Sequence, residues 1–269
     1  MKRRTVGMAV VGMLWATGTL QGTAIRPGFD AWSLPKSDVI WSPLTPLGFT
    51  LDFFGVTYSS VYVNPNGNVT FGAPNLEQTP FNLGSHVGTP IIAPFFADVD
   101  TRAAGSDVVR YGPGTVDGHN AFGVTWGNVG YFFKHADKLN TFQLILIDRS
   151  DRHLGEVEIE FNYGQILWES GDWSGGADGF GGLSARAGYS NGTGLPGTYY
   201  ELPGSGVPGF FLDASSTGLI HHSRDSSVSG RYVFSIGHDL RPVIPAPTAL
   251  LLGAIGVGLV GRLRRRRVL

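Results

Sequence analysis

Two carboxylates separated by a single residue are the feature of this chain that most suggests ligand chemistry. Asp98 and Asp100 flank Val99, and in an extended segment residues i and i+2 project from the same face. Like charges at this spacing need a cation or hydrogen-bond donors to relieve them. Calcium accepts carboxylate oxygens as ligands, which predicts a calcium site at Asp98 and Asp100. The alternatives are a contact with a partner, or an ion-pair network in which Arg102, four residues after Asp98, braces a strand end.

A glycine-rich stretch at 171–182 is the second candidate site. It holds too many glycines for a strand interior, so it is predicted to be a long loop, and such loops are often functional. Asp172, Trp173 and Asp178 lie in it, and Trp168 precedes it. An exposed tryptophan among carboxylates stacks on sugar rings or anchors a protein partner, so these four residues are predicted to bind a ligand. The alternative is a tryptophan folded back over a sheet.

No other cluster has a spacing typical of catalysis. The chain has no cysteine, which excludes thiol catalysis, cysteine metal sites and disulfides. It also lacks a His-Glu-x-x-His zinc motif, a phosphate-binding P-loop and a Gly-x-Ser-x-Gly nucleophile elbow. We therefore predict no enzymatic activity, no catalytic residues and no cofactor other than calcium. The enzymatic alternative is a glycan hydrolase or a self-processing domain.

The elements that must position these residues are β-strands. Many short apolar stretches alternate with Gly, Asn, Asp and Pro, a pattern typical of an all-β domain. In the stretch 156–161, three apolar residues alternate with Glu156, Glu158 and Glu160. This alternation predicts a strand with one buried face and one solvated face of glutamates.

Three other stretches give specific strand predictions. The run at 142–147 is apolar on both faces apart from one glutamine, which predicts a central strand, and 148–155 is predicted to connect it to the next strand as a hairpin. Residues 64–68 contain an Asn-Gly turn signal and predict a second hairpin. The strand at 91–96 contains Pro94, which indicates an edge strand or a bulge. Together these stretches predict a single β-sandwich-like domain.

Both ends of the chain have the pattern of sorting signals. Lys2, Arg3 and Arg4 precede an apolar run that leads to small residues before Ala24, the layout of a signal peptide over 1–24. At the other end, Pro245 and Pro247 precede a short uncharged run. The cluster that closes this run contains Arg262, Arg264, Arg265, Arg266 and Arg267. This end predicts a short membrane helix with its arginines on the cytoplasmic side.

The organisation that follows is a signal peptide at 1–24, an N-terminal extension at 25–46, a β domain at 47–238 and a sorting signal at 243–269. The chain has 20 basic and 21 acidic residues. Eight of the basic residues, and none of the acidic ones, lie in the two terminal signals. The exported part therefore has 12 basic and 21 acidic residues, a net charge of −9. Such an acidic domain repels phosphate backbones, so nucleic acid is excluded as a partner.

The order of several motifs resembles a known extracellular family. These motifs are Asn66-Gly67-Asn68-Val69-Thr70-Phe71, Ile91-Ile92-Ala93-Pro94-Phe95-Phe96-Ala97-Asp98-Val99-Asp100-Thr101-Arg102, Trp126-Gly127-Asn128-Val129-Gly130-Tyr131-Phe132 and Ala185-Arg186-Ala187-Gly188-Tyr189-Ser190-Asn191-Gly192. They resemble the NIDO (nidogen-like) domain over roughly 47–238. The resemblance implies a matrix or cell–matrix adhesion protein, with no catalytic residues to carry over.

The C-terminal segment resembles the PEP-CTERM sorting signal of exopolysaccharide-producing Gram-negative bacteria. In that family a Pro-Glu-Pro motif precedes a membrane helix and a basic end, and an exosortase is thought to process it. Here the motif reads Pro245-Ala246-Pro247, without the glutamate. The resemblance implies export, anchoring in the inner membrane, processing by an exosortase-like enzyme and a final place at the cell surface or in the extracellular matrix. The alternative is an ordinary tail anchor.

These expectations combine into one prediction of function. We expect an exported, non-enzymatic protein of the envelope, acting in adhesion to the matrix or in organising a biofilm. Its expected partners are the extracellular matrix or exopolysaccharide, reached through surface loops such as 171–182. The alternative is a carbohydrate-binding module for exopolysaccharide, in which Trp168 or Trp173 stacks on sugar rings.

Overall fold

The structure, a computed structural model, describes residues 24–236. Within that range the chain forms thirteen β-strands and three single-turn 3-10 helices. The strands are β1 (Trp32–Ser33), β2 (Thr45–Phe53), β3 (Val56–Asn64), β4 (Asn68–Thr70), β5 (Ile91–Phe96), β6 (Val99–Asp100), β7 (Val109–Val116), β8 (His119–Tyr131), β9 (His135–Asp148), β10 (Val157–Gln165), β11 (Arg186–Ser190), β12 (Tyr199–Glu201) and β13 (Arg231–Ile236). The 3-10 helices are Leu83–Ser85, Asp172–Ser174 and Leu219–His221.

The strands form two antiparallel sheets. The large sheet has the order β1-β7-β8-β9-β10-β13, with β6 paired to β8, and the small sheet has the order β12-β11-β5-β4-β3-β2. The prediction of a mainly β fold is therefore confirmed. The predicted hairpins are also confirmed, because β3 pairs with β4 from Asn64 to Asn68 and β9 pairs with β10 across the 148–155 connection. The predicted central strand is β9, which lies between β8 and β10.

The main core lies between the facing sides of the two sheets. Phe142 of β9 stacks on Trp126 of β8 with ring centroids 5.2 Å apart, and it packs at 5.1 Å against Phe95 of the small sheet. All three side chains are buried. Burying apolar area between two sheets is the dominant favourable contribution to such a fold.

The side of the large sheet that faces away from the small sheet is also covered. Residues 24–31 run across it before the chain joins the edge of the same sheet as β1, and we call residues 24–31 the strap. Phe29 of the strap forms a second apolar cluster with Val116, Ala121, Ile145 and Ile147. The apolar residues on both faces of β9 are explained by this cover, because a strand in this position is buried on both sides.

The prediction of a solvated glutamate face on β10 is wrong for Glu160. This side chain is only 1% exposed, because the strap covers it. It pairs with Arg26 of the strap at 2.8 Å and with Arg231 of β13 at 2.9 Å. Glu158, on the same face, is half-buried and pairs with Arg149 at 3.0 Å.

No helix within residues 24–236 has the length and apolar character needed to cross a membrane. The predicted membrane helix and arginine cluster of 243–269 lie outside the described residues. The predicted signal peptide also lies outside them, apart from Ala24.

Candidate functional site

Asp98 and Asp100 lie where the chain passes from the small sheet to the large one. The strand β5 ends at Phe96, and β6 (Val99–Asp100) then pairs with β8 at Tyr131 and Gly130. Two loops pack over this crossing. One follows β8 and the other contains the 3-10 helix Asp172–Ser174. The amide of Phe132 donates to the Asp98 carbonyl at 3.1 Å, and the amide of Asp172 donates to the Phe132 carbonyl at 2.8 Å.

The Asp100 carboxylate is fully paired. Arg102 donates to it from Nε at 2.9 Å, from Nη2 at 2.6 Å and from its backbone amide at 2.9 Å. The amide of Lys134 donates a further hydrogen bond at 2.9 Å. Burial opposes ionisation of Asp100, but these hydrogen bonds and the nearby guanidinium outweigh it and hold the pKa below its ordinary value. Arg102 also pairs with Asp38 at 2.9 Å.

The Asp98 carboxyl has the opposite environment. Its residue is 1% exposed, and neither side-chain oxygen has a hydrogen-bond partner in the described part of the chain. Burial, followed by the charges of Asp100, Asp38 and Asp172, raises the pKa of Asp98 to about 7, and Arg102 lowers it only in part.

Gly171 allows the close approach of a loop to Asp98. A methyl group added to Gly171 would lie 2.6 Å from Asp98 Oδ2 and 2.9 Å from the Phe132 carbonyl oxygen. Any side chain at this position would therefore push the 171–182 loop away from β6.

The structure thus divides the predicted pair of carboxylates into two unlike groups. Arg102 pairs with Asp100, as the structural alternative expects, but residues 24–236 contain no ion pair between Arg102 and Asp98. Among these residues no group of three or more His, Asp or Glu side chains is arranged to hold a metal ion. Because the Asp100 oxygens already accept four hydrogen bonds, only Asp98 retains coordination capacity. Calcium binding stays a prediction.

The prediction of Trp168 as an exposed binding residue is wrong. Its side chain is fully buried, and its indole Nε1 donates to the Val129 carbonyl at 3.0 Å. The ring packs in the core at 5.8 Å from Phe95 and 5.4 Å from Tyr131. Trp168 therefore fits the alternative interpretation given above, a tryptophan folded back over a sheet.

Trp173 has the opposite placement. It lies in the 3-10 helix Asp172–Ser174 and is 66% exposed. Its ring is supported from below by half-buried Phe132, with centroids 6.3 Å apart. The helix ends at Gly175, whose φ of 76° is left-handed and suits glycine. The indole of Trp173 therefore projects from the surface of the protein, and the Phe132 ring packs against it.

The other two predicted residues of the loop are exposed as well. Asp172 Oδ2 lies 3.2 Å from His135 Nε2 of β9, and the imidazole stacks on Tyr131 at 4.6 Å. Asp178 is anchored through its backbone, because Lys138 Nζ donates to its carbonyl at 2.8 Å.

Three other large apolar side chains are exposed on the loops that carry or adjoin Trp173. The amide of Leu183 donates to the Ser174 carbonyl at 2.8 Å, and Phe133 contacts the supporting ring of Phe132 at 5.2 Å. Leu183, Phe133 and Phe180 are each more than half exposed. We call Phe133, Trp173, Phe180 and Leu183 the loop surface. Sequence reasoning missed Phe133 and His135. The adjacent aromatics at 132–133 in a hairpin turn were the signal that could have identified Phe133.

Comparisons with known proteins identify the family. The model of the nidogen-like domain (NIDO) matches residues 59–238, so the chain belongs to the nidogen-like domain family. Alpha-tectorin of Mus musculus is 32% identical over 232 residues, covering 77% of this chain and 10% of the relative. Alpha-tectorin of Homo sapiens is 31% identical, with the same coverage. Nidogen of Drosophila melanogaster is 29% identical over 210 residues, covering 69% of this chain and 15% of the relative.

The chain spans only 10% to 15% of the length of these relatives. No solved structure gives a significant match.

Proposed function

We propose that this chain is an exported, non-enzymatic protein that acts in cell–matrix adhesion or in organising an extracellular matrix such as a biofilm. Membership of the nidogen-like family supports this proposal, since alpha-tectorin and nidogen are the relatives that the chain resembles. The site supports it too. Asp100 is engaged by Arg102, Asp98 is buried without a hydrogen-bond partner among residues 24–236, and Asp172 pairs with His135 at the exposed surface.

The loop surface is the observation that carries the proposal. Trp173 and Phe133 are 66% and 59% exposed, although aromatic side chains of this size are usually covered. Contiguous exposed apolar groups mark interaction sites, and tryptophan is enriched among the residues that dominate binding energy. Because Phe132 and Gly175 hold the indole in place, little conformational entropy is lost when a partner covers it.

The finer part of the proposal concerns export and sorting. We place 1–24 as a cleaved signal peptide and 243–269 as a sorting signal that anchors the chain in the inner membrane until an exosortase-like enzyme processes it. Pro245, Pro247 and the arginines at 264–267 support this sorting through their sequence pattern alone. Mass spectrometry of the protein recovered from the cell surface tests it. A mature form without the arginine cluster supports processing, and an intact C-terminus contradicts it.

Co-sedimentation of the purified exported protein with extracellular matrix of the producing organism tests the adhesive role. Matrix-dependent pelleting is expected. No pelleting, either with added calcium or with a chelator, contradicts the role.

The same assay tests the calcium prediction through Asp98. If calcium occupies this site, chelation weakens pelleting of the wild-type protein but has no effect on Asp98→Asn. If chelation affects both proteins equally, the calcium acts elsewhere.

Exopolysaccharide binding is the second candidate function. The observation that favours it is the Asp172–His135 pair next to Trp173, because a stacking ring beside hydrogen-bonding groups suits a sugar. Affinity electrophoresis in gels containing the purified exopolysaccharide tests it. Retardation that is lost in both Trp173→Ala and Asp172→Ala supports glycan binding. Unretarded wild-type protein that still pellets with matrix points to a protein ligand.

A further inference from the structure

A pocket of about 300 Å³ lies on the side of the small sheet that faces away from the large sheet. Ile91 of β5 and Thr70 of β4 line it, whereas the next residue of β5, Ile92, belongs to the core between the sheets. Neighbouring residues of a strand project to opposite faces, so Ile91 and Thr70 form the floor of the pocket on its outer face. Leu76, which is 67% exposed, also lines it.

Phe81 and His86 form an aromatic wall of this pocket. Their rings are stacked with centroids 4.4 Å apart, and Phe81 also meets buried Phe96 edge-on at 5.0 Å. The loop that carries His86 is held in place, because the amide of Gly88 donates to the Gly192 carbonyl at 2.8 Å. The wall is therefore preformed, and little conformational entropy is lost when a ligand packs against it.

The fixed charge at the pocket is negative. Among residues 24–236, Glu77 is the one acidic residue that lines the pocket, and no lysine or arginine lines it. The backbone amide of Glu77 donates to Asn75 Oδ1 at 3.1 Å, but its exposed carboxylate has no ion pair or hydrogen bond within the described part of the chain. The net charge of −9 on the exported part adds a general attraction for cations.

His86 supplies a second acceptor. Its Nε2 atom lies 2.9 Å from the Thr89 carbonyl oxygen. A carbonyl oxygen can only accept, so we assign the hydrogen to Nε2, which leaves Nδ1 of the neutral ring as an acceptor. A carboxylate and a ring nitrogen beside apolar walls suit a ligand that carries positive charge and donates hydrogen bonds.

The pocket has few other polar groups to offer a ligand. The Thr70 hydroxyl already donates to the Ala73 carbonyl at 2.6 Å and accepts from Asn64 Nδ2 at 3.1 Å. Asn75 Nδ2 is enclosed in the wall and does not face the ligand. A sugar ring would therefore leave most of its hydroxyl groups unpaired here, whereas a single charged group on an apolar stem would not.

We infer that this pocket receives a lysine or arginine side chain of a partner protein. The apolar stem of such a side chain packs on Leu76, Phe81 and Ile91, and its head group meets Glu77 and His86. The pocket shares no residue with the loop surface. It is therefore a second contact site, which goes beyond the adhesive role proposed above.

An NMR titration of the full-length protein tests this inference. Histidine labelled with carbon-13 at Cε1 gives few signals, because the chain has 7 histidines, and His86→Gln identifies the signal of His86 by its loss. The probes are the N-acetyl, N′-methylamide derivatives of lysine and arginine. The same derivative of norleucine is the control, because it has an apolar stem without the charge. A saturable shift of the His86 signal is expected with both basic probes and with much lower affinity for norleucine. Equal affinities, or no saturable shift, overturn the inference.

Glu77→Gln removes the charge while keeping the shape of the side chain. The lysine probe should bind this variant about tenfold more weakly, the factor expected when one hydrogen bond to a charged group is lost. Asp107→Asn is the matched control, because it removes another exposed carboxylate that has no ion pair among residues 24–236. Its affinity for the probe should be unchanged. Equal losses for the two variants would mean that net charge alone attracts the probe, which overturns the inference.

Glucosamine is the third probe, because it carries an ammonium group on a ring rich in hydroxyl groups. Weaker binding of glucosamine than of the lysine probe supports a protein side chain as the occupant, and equal or tighter binding overturns it. None of these titrations contains matrix. Their failure therefore leaves the adhesive role of the loop surface untouched, and a failure of matrix pelleting leaves the result for the pocket untouched.

Discussion

Glu160 and Asp98 are two buried carboxyl groups with opposite surroundings, since one is paired with arginines and the other has no partner among the described residues. Each residue is 1% exposed. Under the strap, Glu160 accepts from two arginines, at 2.8 Å and 2.9 Å. Under the 171–182 loop, the Asp98 carboxyl accepts no hydrogen bond from any residue of 24–236. A buried charge is tolerated when it is paired, and an unpaired carboxyl gives up its charge instead. The strap region therefore stabilises the fold, whereas the buried carboxyl of Asp98 carries an energetic cost beneath the exposed loop surface.

The largest effect is expected from Glu160→Ala. Removing the carboxylate leaves Arg231 half-buried with its main ionic partner gone, and breaking a buried pair in this way costs about 3–5 kcal/mol. Urea unfolding of the wild-type and variant proteins measures the difference. Glu158→Ala is the matched control on the same strand, where a partly exposed pair contributes less than about 1 kcal/mol. Equal losses of stability for the two variants would contradict the difference between a buried and a partly exposed glutamate–arginine pair.

A smaller effect of opposite sign is expected from Asp98→Asn. The pKa of Asp98 is raised from 3.8 in the unfolded chain to about 7 in the folded protein. Its contribution to stability is therefore fully present below pH ~4 and is lost as the pH rises through about 7. At pH 8 the variant should be more stable than the wild type by about 2 kcal/mol. This is less than the roughly 4 kcal/mol that the raised pKa represents, because the amide also lacks partners.

Unfolding free energies at pH 4 and pH 8, in the presence of a chelator, measure this effect. The stability difference between the two proteins should grow with pH. Parallel pH profiles for the wild type and Asp98→Asn would show that the Asp98 carboxyl finds a partner in solution.

The smallest effect on stability is expected from Trp173→Ala. The side chain is mostly exposed and its removal leaves no cavity, so the free energy of unfolding should change by no more than about 0.5 kcal/mol. Thermal unfolding followed by circular dichroism measures it. A loss of several kcal/mol would mean that Trp173 is packed in the protein like Trp168. It would then not belong to the exposed loop surface.

The fold was predictable from the sequence wherever local periodicity decides it. The hairpins at 64–68 and 148–155 and the central strand β9 are confirmed, because turn residues and alternation act over a few positions. Pro94 shows the limit. It lies in β5, inside the small sheet between β4 and β11, so the prediction of an edge strand is wrong. The alternative of a bulge is confirmed by a register shift opposite it, between Arg186 and Gly188.

The candidate site was less predictable, because its character depends on contacts between distant parts of the chain. Trp168 and Trp173 are five residues apart in similar local sequence, yet one is buried and the other exposed. Glu160 belongs to an alternating pattern with a solvated face, and only a strap 134 residues away buries it. Asp98 and Asp100 have the same local context and differ because Arg102 and the Lys134 amide reach only the second.

The most direct test of the account is matrix co-sedimentation of a loop-surface variant, Phe133→Ala with Trp173→Ala, beside the wild type. Trp32→Ala is the control, because it removes an exposed tryptophan from β1 on another part of the molecule. The account predicts that pelleting is lost in the loop-surface variant, which stays folded by circular dichroism, and is retained in the control. Undiminished pelleting of the folded loop-surface variant would contradict the claim that this surface binds the matrix.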